Sequence, residues 1–158
     1  NLGSKESNLN LAILLLNEFL LVTKKSNIYL SEPWGYSSEN SFLNCGLLVS
    51  TKYEPLTLLK YLKEIEFKMG RKFLVKDGYQ DRIIDLDILI YNDLNYISKD
   101  LTIPHSKIKE RKFAIYILRD IFQNEKIPGL NKSASLLLEE TTDKSELFLY
   151  DKTNTKFS

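Results

Sequence analysis

The 158-residue chain is 43% hydrophobic, enough for one domain with its own core. Its 22 basic and 21 acidic side chains leave a net charge of +1, which weighs against a nucleic-acid binder that relies on bulk positive charge. A lone cysteine, Cys45, excludes an intrachain disulfide and fits a reducing, cytoplasmic setting.

The apolar run "LNLAILLLNEFLLV" over 9–22 is too short to span a bilayer, and Asn10, Asn17 and Glu18 interrupt it. Neither the basic start nor the small-residue cleavage site of a signal peptide is clear, so no membrane association is expected. Leu9, Ala12, Ile13, Leu16 and Leu20 fall at helical spacing and predict a buried amphipathic helix over about 7–22. Residues 26–31 read as a strand. "EPWGYSSENS", 32–41, reads as an aromatic loop suited to a flat ligand. "FLNCGLLVS", 42–50, reads as a strand with Leu43, Cys45, Leu47 and Val49 toward the core. Phe42 and Asn44 share its other face.

Pro55 opens a second helix, with Leu56, Leu59, Leu62, Ile65, Glu66 and Met69 on its apolar stripe. Gly70 ends it in the left-handed conformation. The glycine-rich, charged stretch 70–81 reads as a mobile loop. Residues 82–91 read as a second clear strand, Asn92-Asp93 as a turn, and "NYI" as a short returning strand. "LTIPH" is extended, because Pro104 disfavours helix at Ile103. A helix over 107–122 turns Ile108, Ile115, Leu118 and Phe122 inward, and 133–140 predicts a short helix. The segment 141–158 has no clear pattern. The sum is a single α+β domain over 1–158, a sandwich with a mostly antiparallel sheet and helices on both faces.

"DRIIDLDILIY", 81–91, raises a chemical question. On a strand, Ile84, Leu86, Ile88 and Ile90 face the core, while Asp85 and Asp87 share the opposite face, roughly 6.5–7 Å apart. Neighbouring like charges repel, and aspartate is a poor strand former. A solvated sheet face is one account. A magnesium site is the other: hard oxygen ligands, one or two carboxylates, and phosphates completing the shell. Cysteine and histidine are too scarce for a structural zinc site.

Arg71, Lys72, Lys76 and Arg82 lead directly into these carboxylates. Acids that hold a metal beside a mobile basic loop are what a nucleoside triphosphate needs. Neither G-x-x-x-x-G-K-[ST] nor G-x-G-x-x-G is present, so ATP would be held by magnesium and side chains. The single histidine, His105, stands near Arg111 among Lys107, Lys109 and Lys112, which suggests a second phosphate-facing cluster.

Six stretches carry a family resemblance: "LGS" at the start, "SEPWG" (31–35), "FLN" (42–44), "IEFKMGR" (65–71), "DRIIDLDIL" (81–89) and "LTIPHSKIKERKF" (101–113). In this order and spacing, the chain resembles the 6-hydroxymethyl-7,8-dihydropterin pyrophosphokinases of folate biosynthesis from about Leu2 to Ile121. The resemblance implies a ferredoxin-like fold and transfer of the β,γ-diphosphate of Mg-ATP to the hydroxymethyl group of a reduced pterin, releasing AMP. It implies that Asp85 and Asp87 hold two magnesium ions. It places Arg71, Arg82, His105 and Arg111 on ATP, with Arg82 and Arg111 stabilising transferred charge. Phe42 and Phe113 would stack on the pterin, Asn44 would bond its edge, and Ser31 to Trp34 would complete the pocket, with Asp85 near the attacking hydroxyl. It also leaves room for other folate-pathway domains in a longer chain.

The chain departs from the family pattern at "YQD", 79–81, where many members carry Trp-Gly-Pro before the arginine; Tyr79 is the nearest substitute. The basic loop also has fewer arginines than in many members, with Lys72 and Lys76 as the available substitutes. Two other readings stay open from sequence: a non-catalytic ferredoxin-like binding module, and a different DxD metal-dependent phosphotransferase. No RNP1 signature supports an RNA-binding version of the former.

Overall fold

A computed structural model describes residues 1–35, 38–71 and 81–151. The first helix, α1 (Lys5–Asn17), is shorter than its apolar run. Leu20 still enters the core, but Leu21–Lys25 forms a strand, β1. Val22 and Thr23 are β-branched and favour the extended chain once a partner strand is available. That partner is β4 (Leu47–Ser50), antiparallel, with an irregularity between Val22 and Lys24. α1 buries Ala12 and Leu16 and leaves Leu11 and Leu14 exposed.

The strand expected over 42–50 is two strands. β3 (Phe42–Asn44) pairs with β2 (Tyr29–Ser31), while β4 pairs with β1. The break falls at Cys45-Gly46, where the Ser26 hydroxyl accepts the Gly46 N–H at 2.8 Å. Gly46 is needed for close approach. A Cβ there would lie 2.1 Å from Ile117 Cγ2, on a β-branched side chain that is itself buried. Gly46→Ala is therefore expected to lower stability by about 1–3 kcal/mol in urea unfolding. Combined with Ile117→Ala it should cost less than the sum of the two single changes.

α2 (Pro55–Lys68) begins at Pro55 as expected and buries Pro55, Leu58, Leu62, Ile65 and Glu66. Its inward stripe therefore runs through Leu58, and Leu56 is exposed. The helix ends as the glycine predicts. Gly70 has φ +93°, its N–H donates to Phe67 O at 2.9 Å, and the Arg71 N–H donates to Glu66 O at 3.0 Å. These paired bonds are a Schellman motif, which turns the chain back along the helix.

Residues 82–91 join no ladder, contrary to the strand expected there. Their backbone is held by other groups. Arg82 O accepts from Leu2 N, Ile83 O from Asn8 Nδ2, the Leu86 N–H donates to Glu66 Oε1, and Leu89 O accepts from His105 N. A cavity of about 750 Å³ is lined both by residues 47–51 and by 82–92. The inward alternation nevertheless holds at Ile84 and Ile88, both buried. Asn92 takes φ +46° in the following turn, and β5 (Tyr96–Ile97) pairs with β6 (Thr102–Ile103).

A 3-10 turn (Ile108–Glu110) precedes α3 (Lys112–Phe122), which turns Ile115 and Leu118 into the core. Three strands lay outside the sequence reading. β7 (Lys126–Ile127) pairs with β8 (Lys132–Ser133), and β9 (Leu147–Leu149) adds to β2. α4 (Ala134–Glu140) is capped by the Ser133 hydroxyl, which accepts from Leu136 N. The α+β class holds, with four α-helices and antiparallel ladders among the described residues. The strands described form four small sheets, so this arrangement does not by itself establish one ferredoxin-like sheet. No described helix is long and apolar enough to cross a membrane.

Candidate active site

Asp85 and Asp87 stand on the irregular segment between buried Ile84 and Ile88, where the alternation turns both carboxylates out of the core. The Leu86 N–H between them donates to Glu66 Oε1 at 2.6 Å, fixing the backbone. Asp85 is clamped by two guanidinium groups, with Arg71 Nη1 2.6 Å from Oδ1 and Arg82 Nη2 2.9 Å from Oδ2. Asp87 is held more loosely, with Arg111 Nη1 3.6 Å from its Oδ2. Burial pushes the Asp85 carboxyl up, but Arg82, Arg71 and Lys63 outweigh it and hold the group below its ordinary 3.8.

That shift makes stability depend on pH. A depressed carboxylate contributes stability above its ordinary pKa and loses it as pH falls through the folded value. Urea midpoints of the wild type and Asp85→Asn should differ at neutral pH and converge below pH 3.8.

His105 is positioned by its own backbone N–H, which donates to Leu89 O at 2.8 Å. Its Nδ1 accepts the Lys107 N–H at 3.1 Å. Burial pushes the imidazole below its usual 6.5, opposed by Asp87 and reinforced by Arg111. With Nδ1 occupied as an acceptor, the neutral ring carries its proton on Nε2 and can donate it to an anion.

Arg111 precedes α3, and Phe113 lies in its first turn. The Lys112 N–H at this corner donates to the Asp143 carboxylate at 2.7 Å, and the Lys112 ammonium donates to Ser145 O at 3.0 Å. A carboxylate at a helix N-terminus satisfies an orphan donor and opposes the helix dipole. Asp143 comes from the stretch that had no clear sequence pattern.

The aromatic side chains support the arginines. Arg82 lies over the Phe42 ring at 5.9 Å, and Arg111 lies over Trp34 at 5.1 Å. On β3, Asn44 Nδ2 donates to Ser31 Oγ at 2.9 Å and to Tyr29 O at 3.3 Å, leaving the amide carbonyl to accept from a ligand.

Two cavities share one wall. The larger is lined by Ser31, Trp34, Phe42, Asn44 and Phe113, together with Arg82, Asp85, Asp87, His105 and Arg111. The smaller, about 430 Å³, is lined by those last five residues with Lys63 and Arg71. The structure thus brings together Ser31, Trp34, Phe42, Asn44, Arg71, Arg82, Asp85, Asp87, His105, Arg111 and Phe113, whereas Pro33, Lys107, Lys109 and Lys112 line neither cavity, the Lys107 ammonium pairing with Glu110 and that of Lys112 donating to Ser145 O. The expectations for Lys72, Lys76 and Tyr79, and for the centre of the 70–81 loop, lie outside the described residues, as do Tyr36 and Ser37.

Sequence reasoning missed the roles of Glu66, Lys63 and Asp143. Glu66 was read only as part of an apolar stripe. A carboxylate on such a stripe, five residues before an arginine, was the available signal.

The donor chemistry fits magnesium. No group of three or more His, Cys, Asp or Glu that could hold a metal occurs among the described residues. Two carboxylates beside a basic cleft suit a hard cation that takes its remaining oxygens from phosphate and water. Arg82 Nε is also buried without a hydrogen-bond partner among the described residues, a donor available to an anion.

Comparison with known proteins identifies a family. The model of the 7,8-dihydro-6-hydroxymethylpterin-pyrophosphokinase family matches residues 1–123. The 2-amino-4-hydroxy-6-hydroxymethyldihydropteridine pyrophosphokinase of Aquifex aeolicus is 37% identical over 142 residues, covering 90% of this chain and 88% of that protein. The protein of the same name from Bacillus subtilis is 37% identical over 125 residues, 78% of this chain and 74% of its own length. Folic acid synthesis protein FOL1 of Dictyostelium discoideum is 39% identical over 131 residues, 83% of this chain but 20% of that longer protein. On the extent of these matches, the chain belongs to the 7,8-dihydro-6-hydroxymethylpterin-pyrophosphokinase family.

Proposed function

We propose that this pyrophosphokinase joins the pterin's hydroxymethyl oxygen to the β-phosphorus of ATP. The bond from that phosphorus to the α-phosphate's bridging oxygen breaks, AMP leaves with that oxygen, and the hydroxyl proton passes to solvent. One observation carries the reading: an aromatic cavity and a basic cleft meet at Arg82, Asp85, Asp87, His105 and Arg111. A flat heterocycle on one side and a triphosphate on the other would meet at that wall, where charge develops during transfer.

In this proposal Phe42 and Phe113 hold the pterin ring, the Asn44 carbonyl accepts from its edge, and Ser31 orients the Asn44 amide. Trp34 closes the pocket and seats Arg111. Arg71, Arg82, His105 and Arg111 bind phosphate oxygens, and His105 does so as a neutral donor. Asp85 and Asp87 hold two magnesium ions; when bound, these neutralise phosphate charge and align the transferred group. Asp85, nearest the two clamping arginines, orients the hydroxyl.

The proposed fold is a ferredoxin-like sandwich forming one domain over 1–158. The antiparallel ladders support it, as do β9 on β2 and Asp143 on α3, which tie 141–151 to the rest. A cytoplasmic location and a monomeric state complete the proposal. Association with other folate-pathway domains in a longer chain is supported by the short share of the Dictyostelium relative that this chain matches.

The test is product analysis with ATP, magnesium and 6-hydroxymethyl-7,8-dihydropterin. The proposal requires AMP and the pterin diphosphate in equal amounts. Release of ADP, or no turnover by folded protein, would sink it.

A further inference from the structure

Glu66 lines neither cavity, yet its side chain is fully buried. A carboxylate taken out of water is costly unless its partners are well placed. Burial pushes this one up, opposed by the Leu86 N–H, Lys63 and Arg71. Oε1 accepts from Leu86 N at 2.6 Å and from Lys63 Nζ at 2.9 Å. Oε2 lies 2.7 Å from Arg71 Nη1, an ion pair whose alignment falls short of a hydrogen bond. The same Arg71 nitrogen donates to Asp85 Oδ1 at 2.6 Å.

The helix end explains how one residue reaches all of these groups. The Schellman turn at Gly70 brings the Arg71 N–H onto Glu66 O at 3.0 Å, so the chain doubles back over Glu66. Glu66 therefore holds Arg71 through both its carbonyl and its carboxylate. The carboxylate also pins the peptide between Asp85 and Asp87. A cation arriving at Asp85 must displace the Arg71 guanidinium from Oδ1. Glu66 lies behind that guanidinium and stays paired with it.

We propose that Glu66 is a positioning residue: it retains the Arg71 guanidinium at the mouth of the basic cleft when Asp85 exchanges it for a cation, so that Arg71 meets the incoming phosphates already aligned. The inference rests on the reading of this cleft as the nucleotide site. Glu66 touches no substrate and acts through Arg71, through Lys63, whose ammonium donates to Oε1, and through the Leu86 peptide.

A double-mutant cycle separates this role from ordinary support of the fold. Calorimetry would measure binding of magnesium with a non-hydrolysable ATP analogue to the wild type, Glu66→Gln, Arg71→Ala and the double variant. A glutamine amide oxygen in the Oε1 position still accepts from the Leu86 N–H and the Lys63 ammonium, while an amide nitrogen in the Oε2 position faces Arg71, so Glu66→Gln chiefly removes the hold on Arg71. The expected result is roughly tenfold weaker binding for Glu66→Gln, and no further loss when it is added to Arg71→Ala. An unchanged affinity, or an equal loss in both backgrounds, overturns the inference while leaving the nucleotide site intact. Failure of the wild type to bind the analogue overturns the site reading and this inference with it. Should Glu66→Gln fail to fold, nitrogen-15 spectra of the Arg71 guanidinium in the wild type decide. Restricted rotation before and after nucleotide addition supports the role, and free rotation in either state refutes it.

Discussion

Replacing Asp87 with asparagine should lower kcat for diphosphate transfer by about 10²–10³-fold, with a thermal midpoint close to that of the wild type. The split follows from the structure. Asp87 is exposed, and its one charged partner at ion-pair range among the described residues is Arg111 at 3.6 Å, so its removal takes little from the folded state. Asp85→Asn should match or exceed that loss of rate but also cost about 1–2 kcal/mol in urea unfolding. Its carboxylate is the shared partner of Arg71 and Arg82, and neither guanidinium is well solvated. Steady-state kinetics beside equilibrium unfolding checks both. Equal losses of rate and stability at both positions would mark the pair as structural.

Arg82→Ala carries the second large effect, an expected fall in kcat of about 10²-fold or more at saturating ATP and pterin. Arg82 bridges the two halves of the site: it lies over the Phe42 ring, pairs with Asp85, and has a buried Nε still available to an anion. A guanidinium seated this way delivers planar donors to charge that forms only during transfer. Arg82→Lys tests the geometry, since it retains the charge but loses the fork and the stacking. It should recover only part of the rate. Full recovery by lysine would reduce the role of Arg82 to a point charge.

The two effects have different legibility in sequence. The i, i+2 spacing of Asp85 and Asp87 between isoleucines placed both carboxylates outside the core, and the structure agrees even though 82–91 forms no ladder. The face of an extended chain depends on side-chain alternation, whereas a strand also needs an edge to pair with. Phe42 and Asn44 were readable for the same reason. The helix predicted over 7–22 erred at its end, because apolar residues at Leu20 to Val22 satisfy helical and extended burial alike. Propensity could not choose between them until β4 offered a partner.

Local chemistry was thus determined by the chain itself: the paired carboxylates, the helix stop at Gly70, and the cluster around His105 and Arg111. Only the tertiary structure decided which groups act on one another. Glu66 looked like one more position on a helix until folding enclosed it against Arg71 and Leu86. Asp143 had no pattern until it reached the start of α3. Both are interactions between charges distant in sequence or hidden by burial, and their strength depends on separation and desolvation, which sequence spacing does not encode.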